Sequence, residues 1–501
     1  MLNNILQTLY RIISSSKFFF VVIALLLVQA IWFALTVQYP MAFDENYHFG
    51  VIQFYSQQLL PFMSVQPPGS EAYGDLVRYD SYMFHYLMSF PYRLIAAFTS
   101  DQVVQIIILR FMNIGLFIAG MFVFRRLLKR LNISEALTNF SLLMLILIPI
   151  VPFLAATINY DNLAFLIVPL FIALTISCSE SIKRGELSAN TFILTLAAGV
   201  FGSLVKFAFA PIFAIAIIYL LVLLFRSKTK KRIFTNIKHS FNSNSLGIKI
   251  LLVCVAVLSI GLLAERYGVN LVQYQRFQPS CEKVRPVSEC TQYGPWGRDY
   301  NTAQKVKITN PPYNPEIFLF LPVWIGNYMS RLYFAINYDY VNYAPLPLPY
   351  YTAYAIGLIG MMLSIFYWKT IARVNPHMLL VALIVAVYVG ALYYVNFTAF
   401  LKLHTIVAAN GRYLILVLPF IFVFFGLAYQ KLFTKLYNKR AKNMLVALAL
   451  VVTLFTLNGG GATTHLLRIQ PYGYWQNTPA PEINSALKNI VAPTVLGGTS
   501  L

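Results

Sequence analysis

Apolar residues in this chain come in long runs separated by short polar connections. The runs approach the roughly 20 residues that a helix needs to cross a hydrocarbon core of about 30 Å. Run length and loop charge together predict an all-α polytopic membrane protein with about eleven transmembrane helices. The first covers about residues 18–37, followed by about 103–124, 135–154, 162–178, 190–205, 208–225 and 248–264. The C-terminal set covers about 350–368, 378–396, 412–429 and 443–457.

The polar intervals divide the chain. Residues 1–264 form an N-terminal transmembrane module with a first outer loop at 38–101. Residues 265–350, rich in Tyr, Pro, Asn and Gln, form an extracytoplasmic segment; 351–457 hold the C-terminal helices and 458–501 an extracytoplasmic tail. Two stretches of the first outer loop have helical spacing of their own. Asp44 stands where an N-cap belongs, ahead of Tyr47, Val51, Phe54 and Tyr55, and residues 80–98 carry Tyr82, Phe84, Tyr86, Phe90 and Tyr92. Both predict helices lying in the membrane interface, where amphipathic aromatic residues prefer to sit.

Composition narrows the class. A chain of 501 residues that is 58% hydrophobic and 11% charged, with mean hydropathy +0.66, is not a soluble enzyme. Net charge +21 would suggest nucleic acid in a soluble protein. Here the cations gather in short loops, at Arg125–Arg130, Lys183-Arg184, Lys228–Arg232 and Lys439–Lys442. That positive-inside pattern fixes orientation and leaves no nucleic-acid partner to explain. The first run is longer than the core of a secretory signal and lacks a small-x-small cleavage site, so it reads as a retained span. Cys178 and Cys254 fall inside apolar runs. Cys281 and Cys290 share an outer loop, where a disulfide or two free thiols would fit, and no further Cys or His stands at zinc-ligand spacing.

Charge beside lipid is costly unless it has a partner or a job. Phe43-Asp44-Glu45-Asn46-Tyr47-His48-Phe49 puts two carboxylates and a histidine directly after the first span. Asp44 and Glu45 serve equally as a helix cap with favourable charge or as a rigid mount for a catalytic base. Lys206 interrupts the apolar stretch Ser203–Pro211, either to snorkel or to neutralise an anionic headgroup. Arg412, in Asn410-Gly411-Arg412-Tyr413 with Lys402 and His404 upstream, is an interface anchor or a phosphate partner. Asp161 caps a span or pairs with Arg110. No P-loop, GxGxxG, HExxH or GxSxG in a fitting context occurs, and the inner loops are too short for a nucleotide-binding domain. This excludes an ATP-driven transporter on its own and argues against a nucleotide-sugar donor used inside.

Several of these segments in order resemble the GT-C class of membrane glycosyltransferases, which use polyprenyl-phosphate sugars. The similarity is closest to a bacterial multi-pass membrane family long catalogued as a domain of unknown function, whose first outer loop opens like Pro-Asp-Glu-Pro-Ala-His-Phe. The segments are Phe43–Phe49, Tyr82-Met83-Phe84-His85-Tyr86-Leu87, Ile158-Asn159-Tyr160-Asp161, Leu204-Val205-Lys206-Phe207 and Asn410-Gly411-Arg412-Tyr413, spanning roughly residues 18–430. Phe43 and Asn46 replace expected prolines, and Asn410 stands where Gln is common.

The resemblance implies inverting glycosyl transfer on the extracytoplasmic face of a bacterial inner or plasma membrane. Asp44 would be the general base and Glu45 its catalytic companion. His48, His85, Asp161, Lys206, His404 and Arg412 would bind substrate, with Lys206 and Arg412 countering charge on the departing lipid phosphate. Trp296 and Tyr300 would stack on sugar or cap the outer segment. The partners implied are a polyprenyl-phosphate sugar, membrane lipids and a glycan, lipid or protein acceptor. A divalent cation stays open: Asp44, Glu45 and Asp161 offer oxygen ligands, but no compact motif demands one. The rival functions are a transporter or flippase for lipid-linked sugars and a non-catalytic scaffold.

Overall fold

A computed structural model of the chain describes residues 2–309, 317–333, 337–338, 341–342, 347–437, 440–459, 473–476 and 478–491. Among these, helices account for nearly all regular structure, with one short antiparallel ladder between Asn337–Tyr338 and Val341–Asn342. Six helices are long and apolar enough to cross a membrane: Ser16–Thr36, Gln102–Arg130, Tyr160–Arg184, Phe207–Arg226, Leu246–Tyr274 and Met378–Leu403. The pair Glu135–Leu147 and Ile150–Ala156 adds a seventh if its 77° bend lies within one span. The other predicted segments are helical too. Ala189–Val205, Tyr351–Phe366 and Ala441–Leu454 are shorter apolar helices, and Leu418–Tyr437 is not among the candidate spans.

Local chemistry sets the helix ends. Ser15 and Asp101 accept hydrogen bonds from Phe18 N and Val103 N and start the first two spans. Gly185, at a left-handed φ of 74°, ends Tyr160–Arg184. The 77° break sits at Ile148-Pro149 because a residue before proline is pushed out of the helical region. Exposed apolar side chains such as Leu251, Val257 and Ile260 line Leu246–Tyr274, a surface suited to lipid rather than water.

The bundle has two chemically distinct ends, about 30 Å apart along a 21-residue helix. At one end Arg125 pairs with Glu135, Arg130 and His377 with Glu180, Arg232 with Glu186, and Lys442 lies over Tyr10. The predicted basic loops therefore meet on one side. At the other end lie Val37, Asp44, Arg110, Asp161, Lys206 and Arg412. There Val37 bridges to Tyr474, with Gln38 N–H donating to Gly473 O at 2.9 Å and Trp475 N–H to Thr36 O at 3.1 Å.

One apolar core runs from Phe19 to Ala480, so the predicted modules 1–264 and 351–457 share it. Two elements add to the expectations. The segment 265–350 holds an apolar helix, Ile317–Tyr333, whose Phe320, Trp324 and Tyr328 pack on Phe397. Pro322 and Gly326 within a short run hid it. Further, the Glu45–Ser56 helix is buried within the protein: Tyr47, Val51 and Tyr55 join the core, and Tyr73 lies so close to Gly50 that a Cβ would fall 2.2 Å from its ring. Met83–Phe98 keeps an exposed apolar stripe of Phe90, Leu94 and Phe98. Cys281 and Cys290 form a disulfide. Predicted features at 310–316, 343–346 and 460–472 lie outside the described residues.

Candidate functional site

The turn before Glu45–Ser56 is unusual in its backbone. Phe43 and Asp44 both have left-handed φ, at 73° and 66°. For residues carrying a Cβ this is strained backbone that the surroundings must hold in place. Asp44 occupies the N-cap position, yet its side chain makes no capping bond. Its Oδ2 instead accepts from Arg412 Nη2 at 2.7 Å, and the side chain stays 53% exposed.

Glu45 holds that turn. Its carboxylate accepts from Met41 N–H at 2.7 Å and Ile158 N–H at 3.3 Å, and from Arg110 Nε and Nη2 at 2.8 and 2.7 Å. Arg110 Nη1 spans Ala34 O and Val37 O at 3.1 and 2.7 Å, beneath the Trp475 ring. Both members of the pair are 0% exposed. A catalytic part for Glu45 is therefore corrected: its oxygens are consumed and no substrate reaches them. The suggested pairing of Arg110 with Asp161 is replaced by this one.

Asp161 is freed from capping because Asn159 does that work, its Oδ1 accepting from Asp161 N–H at 2.8 Å while its Nδ2 donates to Phe43 O at 2.7 Å. Asp161 pairs with Lys206, and its Oδ2 is buried with no hydrogen-bond partner. Lys206 does not snorkel. The Ala189–Val205 helix stops at its extended backbone, and Nζ sits over the Tyr160 and Tyr413 rings at 4.9 and 4.7 Å.

Arg412 joins the two clusters. Gly411 lets its turn press on Leu332, where a Cβ would fall 2.6 Å from the neighbouring side chain. The guanidinium lies between the Phe43 and Tyr413 rings at 5.2 and 5.1 Å. Nη2 serves Asp44 and the Tyr413 hydroxyl, while Nε and Nη1 are buried without partners. Leaving such donors unpaired costs about 1–3 kcal/mol each, so they mark where an anion or water belongs.

His48 and His85 complete the site. His48 Nδ1 and His85 Nε2 are 2.9 Å apart with rings nearly parallel, and His48 meets Tyr160 edge-on at 4.7 Å. Burial pushes His85 down to about 3. His48 is also driven well below its ordinary value, by burial first and then by His85, Arg412 and Lys206. Both imidazoles are neutral at physiological pH.

His404 ends Met378–Leu403 at a φ of 50°, half-buried, and none of the ion pairs of Asp44, Asp161 or Arg412 involves it. Trp296 and Tyr300 stack on each other at 4.9 Å. No three or more His, Cys, Asp or Glu among the described residues gather to hold a metal. The three acids that could supply one face three different cations, so a divalent ion does not fit.

The sequence reading missed Asp80 and Arg266. Arg266, in the π turn Ala264–Gly268, donates to Val77 O and Tyr79 O at 2.7 and 2.8 Å and so grips the first loop. Ser81 Oγ accepts from Phe207 N–H at 3.0 Å, bracing that loop against the residue after Lys206. Burial pushes the Asp80 carboxyl up to about 6. No sequence pattern announces a π turn, and nothing in the spacing of the predicted 80–98 helix marks Asp80 as buried.

Chemically, the site offers an exposed carboxylate, two buried cations with spare donor capacity and a neutral imidazole pair, walled by aromatic rings. Beside it, an apolar cavity of about 240 Å³ is lined by Leu332, Leu414, Leu418, Trp324 and Val389, among others. No protein-family model matches the chain, and no curated protein is significantly similar to it.

Proposed function

We propose that this chain is a GT-C-like membrane glycosyltransferase that moves a sugar from a polyprenyl-phosphate donor to a hydroxyl of an extracytoplasmic glycan, lipid or protein. The observation that carries the reading is Arg412, which holds the exposed Asp44 carboxylate while two of its buried nitrogens remain unpaired. A planar guanidinium with free donors suits a phosphate oxygen pair. Asp44 takes the proton from the acceptor hydroxyl as that oxygen bonds to the anomeric carbon. The bond from that carbon to the lipid phosphate breaks with inversion, and Arg412 and Lys206 counter the charge left on phosphate. Phosphate docking on Arg412 competes with Asp44 for the same guanidinium, which would release the base when donor is present. The apolar cavity next to Leu414 supports the reading, because it suits an isoprenoid chain attached to that phosphate.

A second reading, a flippase for lipid-linked sugars, draws on the 77° helix break beside the same bundle. One experiment separates them: sugar transfer by purified protein in nanodiscs from a panel of short polyprenyl-phosphate sugars, with Asp44→Asn alongside. Transfer that collapses in a folded Asp44→Asn supports the enzyme. Equal transfer by both proteins removes Asp44 as the base, and lipid movement across vesicles without transfer favours the flippase.

A further inference from the structure

The His48–His85 contact determines which imidazole nitrogens carry protons. We propose that His48 turns a bare Nε2 toward the site and accepts a hydrogen bond there from a hydroxyl group of the bound ligand. The inference rests on the proposed function for the identity of that ligand as a sugar or sugar acceptor, but not for the state of the ring.

The reasoning starts at His85. Its Nε2 meets His48, so the Ser81 backbone that acts on this ring from one turn back is assigned to the other nitrogen, Nδ1, which is buried and makes no full hydrogen bond. A carbonyl oxygen only accepts, so the stable arrangement puts the proton of His85 on Nδ1; a bare nitrogen there would set lone pair against lone pair. A neutral imidazole has one N–H, so His85 Nε2 is bare. The 2.9 Å contact then needs its hydrogen from His48 Nδ1. By the same count His48 Nε2 is bare.

The charges around His48 agree. Arg412 and Lys206 both act on it electrostatically, and two nearby cations favour a lone pair over an N–H pointing their way. Tyr160 covers one edge of the ring and Tyr47 another, at 4.7 and 5.5 Å. Among the described residues no protein donor meets Nε2. Burial keeps both rings from taking a second proton, which would turn the acceptor into a donor.

A fixed acceptor beside aromatic faces and within the field of two cations recognises a hydroxyl that lies near an anion. His48 orients that hydroxyl by accepting its hydrogen bond, without taking the proton. His85 acts through His48 and is a positioning residue.

The test reads the rings directly. The chain has six histidines, so 15N-histidine NMR of the protein in nanodiscs, assigned with His48→Gln and His85→Gln, resolves this pair. The expected result is two neutral rings from pH 5 to 8, each protonated at Nδ1 and bare at Nε2. An N–H on His48 Nε2, or a charged His48 at pH 6, overturns the inference whatever the protein's activity.

Ligand contact is then tested with a short polyprenyl-phosphate sugar. Titration should shift the His48 Nε2 signal without changing the tautomer; saturable binding with no shift also overturns the inference. In the transfer assay His48→Gln, which can offer an amide oxygen, should lose about tenfold and His48→Leu distinctly more. Equal loss in the two variants argues against an acceptor role. If the tautomers are as stated and wild type transfers no sugar, the glycosyltransferase reading fails on its own.

Discussion

Asp44 and Glu45 are neighbours in the chain and each meets an arginine, but the two pairs have opposite characters. Glu45 and Arg110 are wholly buried, and every side-chain oxygen of the acid is matched to donors from Arg110, Met41 and Ile158. Asp44 is half in solvent, and its Arg412 keeps two buried nitrogens unpaired. A saturated fork holds structure; an unsaturated one can hold a ligand. The alternation follows from the strained turn at Phe43-Asp44, which sends successive side chains into the core and into the site.

The comparison breaks most sharply on activity. Asp44→Asn should lower sugar transfer by about 10²–10⁴-fold while the thermal midpoint stays near wild type. A large loss of stability in that variant would erase the distinction. The mirror experiment is Glu45→Ala, which leaves Arg110 buried and unpaired and should cost about 3–5 kcal/mol of stability. Thermal or denaturant unfolding in detergent measures it, and a variant as stable as wild type would show that Glu45 does not hold the turn.

Arg412→Lys sharpens the other side. It keeps the charge but loses the fork, so donor binding should weaken by about tenfold with little change in unfolding. Binding of short polyprenyl phosphate, measured by titration, reads this directly.

The remaining effects are in pH. The unfolded chain binds a proton on each histidine below about 6.5, whereas the buried rings, His85 at about 3, do not. That pair therefore makes stability fall as pH drops from about 6.5. Asp80 acts in the opposite sense: its carboxyl, raised to about 6, keeps a proton in the fold that the unfolded chain has already released. Its contribution is thus lost as pH rises from about 4 to 6. Asp80→Asn should remove this second slope and raise stability at pH 7 by up to about 3 kcal/mol. His85→Gln should flatten the first. Unfolding curves collected across pH 4–7.5 distinguish the two, and parallel profiles in both variants would contradict the assignment.

Much of the helical layout was legible in the sequence, because length, hydropathy and loop charge are local properties. The basic loops do meet at one end, and Asp44, Asp161, Lys206 and Arg412 do converge at the other. What escaped was pairing. Which of Arg110 and Lys206 meets which acid depends on contacts between residues 45 and 110 or 161 and 206, and no spacing rule reaches that far. Asp44 had the composition of a cap, yet Arg412 claims its carboxylate. Ile317–Tyr333 was hidden because its proline and glycine look like loop residues when neighbours are unknown. Arg266 reaches the loop only because a π turn re-aims it within an otherwise regular helix.

The strap between Val37 and Tyr474 gives the protein a timetable. A ribosome delivers residues 473–476 after all the candidate crossing helices among the described residues, so Arg110 waits without its Trp475 cover while those helices are threaded into the membrane. The seal behind Asp44 closes as a late act of biogenesis. A chain stalled before that point carries those helices with an unlatched first loop.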